Sequence, residues 1–108
     1  YVNYDMGNSA SLGYDPKEEI DTLSKYIINV HIKDRKLGGD TVPLGNGNVN
    51  FNSVFQNLKK INYKGDLILQ AAREDLKNSE NKKKYVDTIK DYKKFILGYI
   101  KWMYFFLV

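Results

Sequence analysis

The chain of 108 residues has no cysteine. Disulfides, thiolate zinc sites and cysteine nucleophiles are therefore excluded, and the composition fits a reducing compartment such as the cytoplasm. Histidine occurs once, at His31, so a metal cluster built on several imidazoles is excluded too. Proline occurs only at Pro16 and Pro43, and no linker divides the chain. No signal peptide is expected. No apolar run reaches the roughly 20 residues of a membrane span. The longest, "FILGYIKWMYFFLV", ends the chain and is broken by Lys101. It reads as a buried helix end or an altered terminus, with a membrane anchor as the alternative. The chain opens with Tyr1-Val2-Asn3-Tyr4 rather than methionine, already inside a strand-like run, as expected of a fragment or a processed chain.

What is present fits a globular domain, at 43% hydrophobic and 28% charged residues. The net charge of +4 and pI near 9.2 are within reach of a nucleic-acid binder. The lysines, however, cluster at Lys82, Lys83, Lys84, Lys90, Lys93 and Lys94 on a helical pattern, which reads as a solvated face. Neither a nucleic-acid nor a membrane partner is expected.

Alternation organises the chain. Residues 1–5 read as a strand that ends in the turn-like "DMGNSASLGYD". "DPKEEIDTLSKYI" predicts a helix, with Asp15 as cap, Pro16 in the first position and Glu18 completing a capping box. Ile20, Leu23 and Ile27 form its apolar stripe. "IINVHI" predicts a buried strand. Lys33 to Asn48 reads as a Gly- and Asn-rich loop. Asn50 caps a second helix with Phe51, Val54, Phe55, Leu58 and Ile61 on one face. "YKGD" turns the chain into the strand "LILQAA". A long helix follows over about 79–104, with Tyr85, Ile89, Tyr92, Ile96, Tyr99 and Met103 on one side and a break expected at Gly98. The order β-α-β-α-β-α predicts parallel strands with helical crossovers. Asp5 to His31 is 26 positions and His31 to Gln70 is 39. A (β/α)8 barrel averages roughly 31 residues per unit. Three barrel units fit this chain, as does a small three-stranded α/β domain.

In such folds active sites collect at the carboxyl ends of strands. The first strand ends with Asp5 and Asn8, the second with His31 and Asp34, the third with Gln70 and Arg73. An aspartate, a histidine and an amide oxygen form a donor set for Mn²⁺, Mg²⁺ or Zn²⁺. Each residue has a structural reading as well. Asp5 braces a turn, His31 is a hydrogen-bonded strand end, Asp34 caps the loop, Gln70 satisfies the backbone and Arg73 makes an ion pair. "LGGDTVPLGNGN" lacks both phosphate-loop patterns and reads as a structural loop or a lid near the site.

"YDMGNSASLGYDPKEEI", "VHIKDRKLGGDTVPLGNGNVNF" and "YKGDLILQAAR", in that order, resemble the C-terminal part of sugar phosphate isomerases/epimerases. Among these, hexulose-6-phosphate isomerase and L-ribulose-5-phosphate 3-epimerase-like proteins look most similar. They belong to the xylose isomerase-like TIM-barrel superfamily, which also holds endonuclease IV-type repair enzymes. The resemblance implies that residues 1–108 are one partial domain, the sixth to eighth βα units of a (β/α)8 barrel. It implies a divalent metal held by Asp5, His31 and Gln70. Gln70 stands where most members carry a catalytic glutamate, and a further glutamate ligand would come from an earlier strand. Asn50 departs from the aspartate common before the phenylalanine. The implied chemistry is proton transfer beside a carbonyl of a phosphorylated ketose or pentulose. Asn8, Lys33, Asp34, Arg35 and Arg73 are the expected substrate contacts. A cytoplasmic enzyme, a homo-oligomer when full length, is expected. The alternatives are a metal-dependent endonuclease and an inactive truncated product, and residues 1–108 alone are expected to be inactive.

Overall fold

The computed structural model describes residues 1–71 and 79–105. Its elements in chain order are β1 (Val2–Asp5), α1 (Met6–Ser11), α2 (Pro16–Leu23), β2 (Ile27–Ile32), β3 (Asp34–Arg35), β4 (Thr41–Val42), α3 (Phe51–Lys60), β5 (Asp66–Leu69) and α4 (Ser79–Phe105). A short 3₁₀ turn, Ser24–Tyr26, joins α2 to β2. The main sheet has the order β1-β2-β5, and both pairs are parallel. The β-α-β-α-β-α alternation thus forms as expected. Strand β2 is central because "IINVHI" is β-branched and apolar enough to be covered, with Ile27, Val30 and Ile32 all buried.

One face of the sheet is apolar. Tyr4, Val30 and Ile32 point into a core with Ile20 of α2, with Val54, Phe55 and Leu58 of α3, and with Ile96 of α4. Helix α3 forms where the apolar spacing requires it, and Asn50 caps it by accepting from the Ser53 N–H at 3.0 Å. Helix α2 starts at Pro16 with Asp15 in the cap position, but the Asp15 side chain makes no capping hydrogen bond. The expected capping box is therefore not formed. Proline brings no N–H to satisfy and fixes φ for the first turn, so this start depends less on a side-chain cap.

Three further differences have local causes. Residues 6–11 form a helical turn and a half rather than a loop, because Asp5 caps Asn8 and Met6 is buried beneath it. The 33–48 loop contains the antiparallel ribbon β3–β4, with Asp34 opposite Val42 and Arg35 opposite Thr41. Helix α4 runs through Gly98 without a break. A helical glycine costs about 1 kcal/mol. Aromatic contacts on both sides of it offset that cost, at about 0.5–1.5 kcal/mol per pair. Phe95 meets Phe51 edge-on at 5.2 Å between ring centroids, and Tyr99 stacks on Phe55 at 5.3 Å. The α4 lysines Lys82, Lys83, Lys84, Lys90, Lys93 and Lys94 are all exposed. Among the described residues no helix is long and apolar enough to cross a membrane.

Candidate active site

The second face of the sheet is polar. Side chains alternate along a strand, and register partners in a parallel pair share a face. Asp5 is the register partner of His31, and His31 is the partner of Ile68. One step back along the same face, Asn29 donates its side-chain amide to the Asn3 oxygen at 3.0 Å. The repeated pattern Asn3-x-Asp5 and Asn29-x-His31 lines up on neighbouring strands. In the sequence this is a period-two polar signal that runs back from the strand tips.

Asp5 ends β1 and has two partners among the described residues. Its Oδ1 accepts from the Asn8 backbone N–H at 2.8 Å, which starts α1. Its Oδ2 lies 3.1 Å from the Lys33 ammonium, and both side chains are largely covered. Lys33 follows His31 by two residues, so it leaves β2 on the same side. The Gln70 backbone N–H donates to the Ile32 carbonyl at 3.0 Å, just past the end of β5. Continuing the β2–β5 register by one residue brings Gln70 alongside Lys33. The carboxyl edge therefore carries two rows on one face, Asp5 with His31 and, beyond them, Lys33 with Gln70.

Asn8 and Arg35 adjoin this patch and bind each other. Arg35 Nη1 donates to Asn8 Oδ1 at 2.8 Å. Arg35 Nε and Nη2 both donate to the Gly39 carbonyl, at 3.0 and 2.7 Å. The guanidinium thus ties α1 to the 33–48 loop beside the site. Asp34 departs from expectation. It is fully buried, and its carboxylate accepts from the backbone N–H groups of Gly45, Gly47 and Val49 at 2.9, 2.9 and 3.1 Å. With no exposed surface and three donors already bound, it organises the loop and cannot contact a substrate. Arg73 lies outside the described residues.

Asp5, His31 and Gln70 offer one carboxylate, one imidazole and one amide oxygen. These donor types suit a divalent ion, with Asp5 and His31 one strand spacing apart, about 4.8 Å. Among the described residues, no group of three His, Cys, Asp or Glu side chains gathers to enclose an ion. The Lys33 ammonium holds Asp5 Oδ2, while Oδ1 is held by the Asn8 backbone N–H.

Parallel βα units with polar residues at the carboxyl ends of their strands define an α/β protein of the kind that TIM barrels and doubly wound sheets share. The chain belongs to the xylose isomerase-like TIM barrel family, whose profile matches residues 1–94. It is 35% identical over 75 residues to an L-ribulose-5-phosphate 3-epimerase UlaE of Salmonella paratyphi A, covering 68% of this chain and 26% of that protein. A Salmonella paratyphi B protein of the same name is 33% identical over the same length, with the same coverage. These relatives bear out the resemblance to the sugar phosphate isomerase/epimerase family, and this chain spans 26% of their length. A xylose isomerase domain protein from Planctomyces limnophilus superposes with a TM-score of 0.73 at 22% identity, covering 94% of this chain and 38% of that one. At that identity the likeness concerns the fold alone.

Proposed function

We propose that the complete protein is a sugar phosphate isomerase/epimerase acting on a phosphorylated ketose or pentulose of the L-ribulose 5-phosphate kind. In this reading residues 1–108 supply the last three βα units of its barrel. One observation carries the reading: Asp5 and His31 are register partners at the carboxyl edge, on the polar face of the sheet. That edge is where TIM-barrel enzymes do their chemistry.

The reaction removes a proton beside a carbonyl and returns it, through an enediolate whose negative charge must be stabilised. A divalent ion held by Asp5, His31 and Gln70 would polarise the substrate oxygens. The rest falls to this chain's own side chains. Gln70 has no proton to give or take at neutral pH, so it holds a hydroxyl or carbonyl by hydrogen bonding. Proton transfer itself then belongs to carboxylates outside residues 1–108. Arg35 is locked by Gly39 and Asn8, so it acts as a fixed positive charge at the rim. Arg73 is the guanidinium we assign to the substrate phosphate, since its planar donor fork suits that group.

The test is deuterium wash-in from D₂O at the carbon next to the carbonyl of a pentulose 5-phosphate. It uses a protein that contains this chain together with the preceding barrel units. Wash-in that falls by at least about 100-fold in His31→Ala supports the reading. Wash-in indifferent to both His31→Ala and Asp5→Asn contradicts it. Gln70, in the place of a carboxylate, favours a second reading, an inactive product. Complete absence of wash-in in a folded, metal-loaded protein would establish that one.

A further inference from the structure

Lys33 is placed with more care than a surface lysine needs. Gly7, in the first turn of α1, packs directly on its backbone. A Cβ built at Gly7 would stand 2.8 Å from the Lys33 carbonyl oxygen and 3.2 Å from the Lys33 Cβ. Only a glycine lets α1 approach this closely, so the root of the Lys33 side chain is fixed. Its head reaches Asp5 Oδ2 at 3.1 Å, with only 17% of the lysine side chain and 15% of the aspartate side chain exposed. The other Asp5 oxygen is taken by Asn8.

A cation that binds Asp5 meets a carboxylate whose Oδ2 already carries an ammonium and whose Oδ1 already accepts from the Asn8 N–H. Two cations on one oxygen repel, and the repulsion is felt more strongly where solvent is scarce. We propose that Lys33 is a built-in competitor for the divalent ion at Asp5. The ion displaces the ammonium when it binds, and the displaced head is released toward an anionic oxygen of the substrate. Without metal, Lys33 keeps a largely covered carboxylate from being left unpaired. With metal, the same side chain changes partner, so metal loading and anion binding strengthen each other, and by the same factor in both directions. This rests on the metal reading given under Proposed function and adds the residue that regulates it.

The experiment is titration with Mn²⁺ alone of a protein that contains this chain together with the preceding barrel units, reading free Mn²⁺ by its electron paramagnetic resonance signal. Lys33→Met keeps the apolar stem and removes the charge, and it is expected to bind Mn²⁺ at least about fivefold tighter. Lys33→Arg keeps the charge and should stay within about twofold of the parent chain. Asp5→Asn should lose binding in every background. If Lys33→Met does not fold, Lys33→Gln gives the same reading. The Lys33 side-chain ¹⁵N resonance should also move in step with added Mg²⁺ in the unmodified chain. Equal or weaker binding by the uncharged variants, while Asp5→Asn still abolishes binding, overturns the competition and leaves the metal reading intact. Failure of every variant to bind Mn²⁺ overturns both.

Discussion

Removing the Asp34 carboxylate should cost more than any other single change in the 33–48 loop. The side chain is wholly buried and accepts three backbone hydrogen bonds, from Gly45, Gly47 and Val49. A hydrogen bond to a charged group contributes about 1.5–3 kcal/mol, and an orphaned buried donor costs about 1–3 kcal/mol. The three bonds share one acceptor group, so their losses overlap. Asp34→Ala should therefore destabilise the fold by about 3–5 kcal/mol, a large part of the roughly 5–15 kcal/mol of a typical domain. Asp34→Asn keeps one oxygen but turns an NH₂ toward a backbone donor, so about 2–3 kcal/mol is expected. Urea unfolding, extrapolated linearly, gives the stability change. Amide hydrogen exchange at Gly45, Gly47 and Val49 should quicken in both variants well before global unfolding. A cost below about 1 kcal/mol for Asp34→Ala, or unchanged protection at those amides, would refute the loop-anchor role.

Three other outcomes follow from single contacts. Gly7→Ala should lose about 1–3 kcal/mol in urea, because its Cβ meets the Lys33 backbone; a gain, as expected of alanine in an open helix, would show that the approach is not tight. Asn50→Ala should cost about 1 kcal/mol by removing the α3 cap, whereas Asn50→Asp should be close to neutral in the same urea series. Tyr4 is buried beside Glu19 and Asp5, and burial above all pushes its phenol well above the usual tyrosine range. The folded state then holds this proton more tightly than the unfolded chain, whose tyrosine titrates near about 10. That stability is fully present below about pH 10 and is lost as pH rises beyond it. Thermal melts at pH 8 and pH 11 should show a smaller alkaline loss in Tyr4→Phe, with the remainder due in part to Tyr63 and Tyr92, which burial also raises.

The sequence showed the frame of the fold well and the wiring of the site poorly. "IINVHI" and the Phe51–Ile61 face were legible because burial repeats at strand and helix period, and the structure covers Val30, Ile32, Val54, Phe55 and Leu58 as that period requires. Helix α1 was not legible, since Gly7, Asn8 and Ser9 are poor helix formers and only the Asp5 cap and the burial of Met6 hold the turn. Gly98 misled in the opposite sense, because aromatic packing against α3 decides the matter and local propensity does not. At the site, Asp5 and His31 share a row because parallel strands align them, and their order along the chain anticipated it. The fate of Asp34 depended on where three loop amides converge, 11 to 15 residues further along the chain. Nothing in a local pattern states that. The Lys33–Asp5 pair joins two strands across 28 positions and was hidden for the same reason.

If Asp5, His31 and Gln70 hold the ion proposed for the strand carboxyl edge, His31 is the residue that reports it. Because His31 is the only histidine, its ring protons give a single, unambiguous signal in a proton NMR spectrum. Substoichiometric Mn²⁺ should broaden the His31 ring resonances first, together with the Gln70 side-chain amide, and Asp5→Asn should abolish the effect. Broadening confined to the acidic residues of α2, Glu18, Glu19 and Asp21, with a sharp His31 signal, would contradict the account.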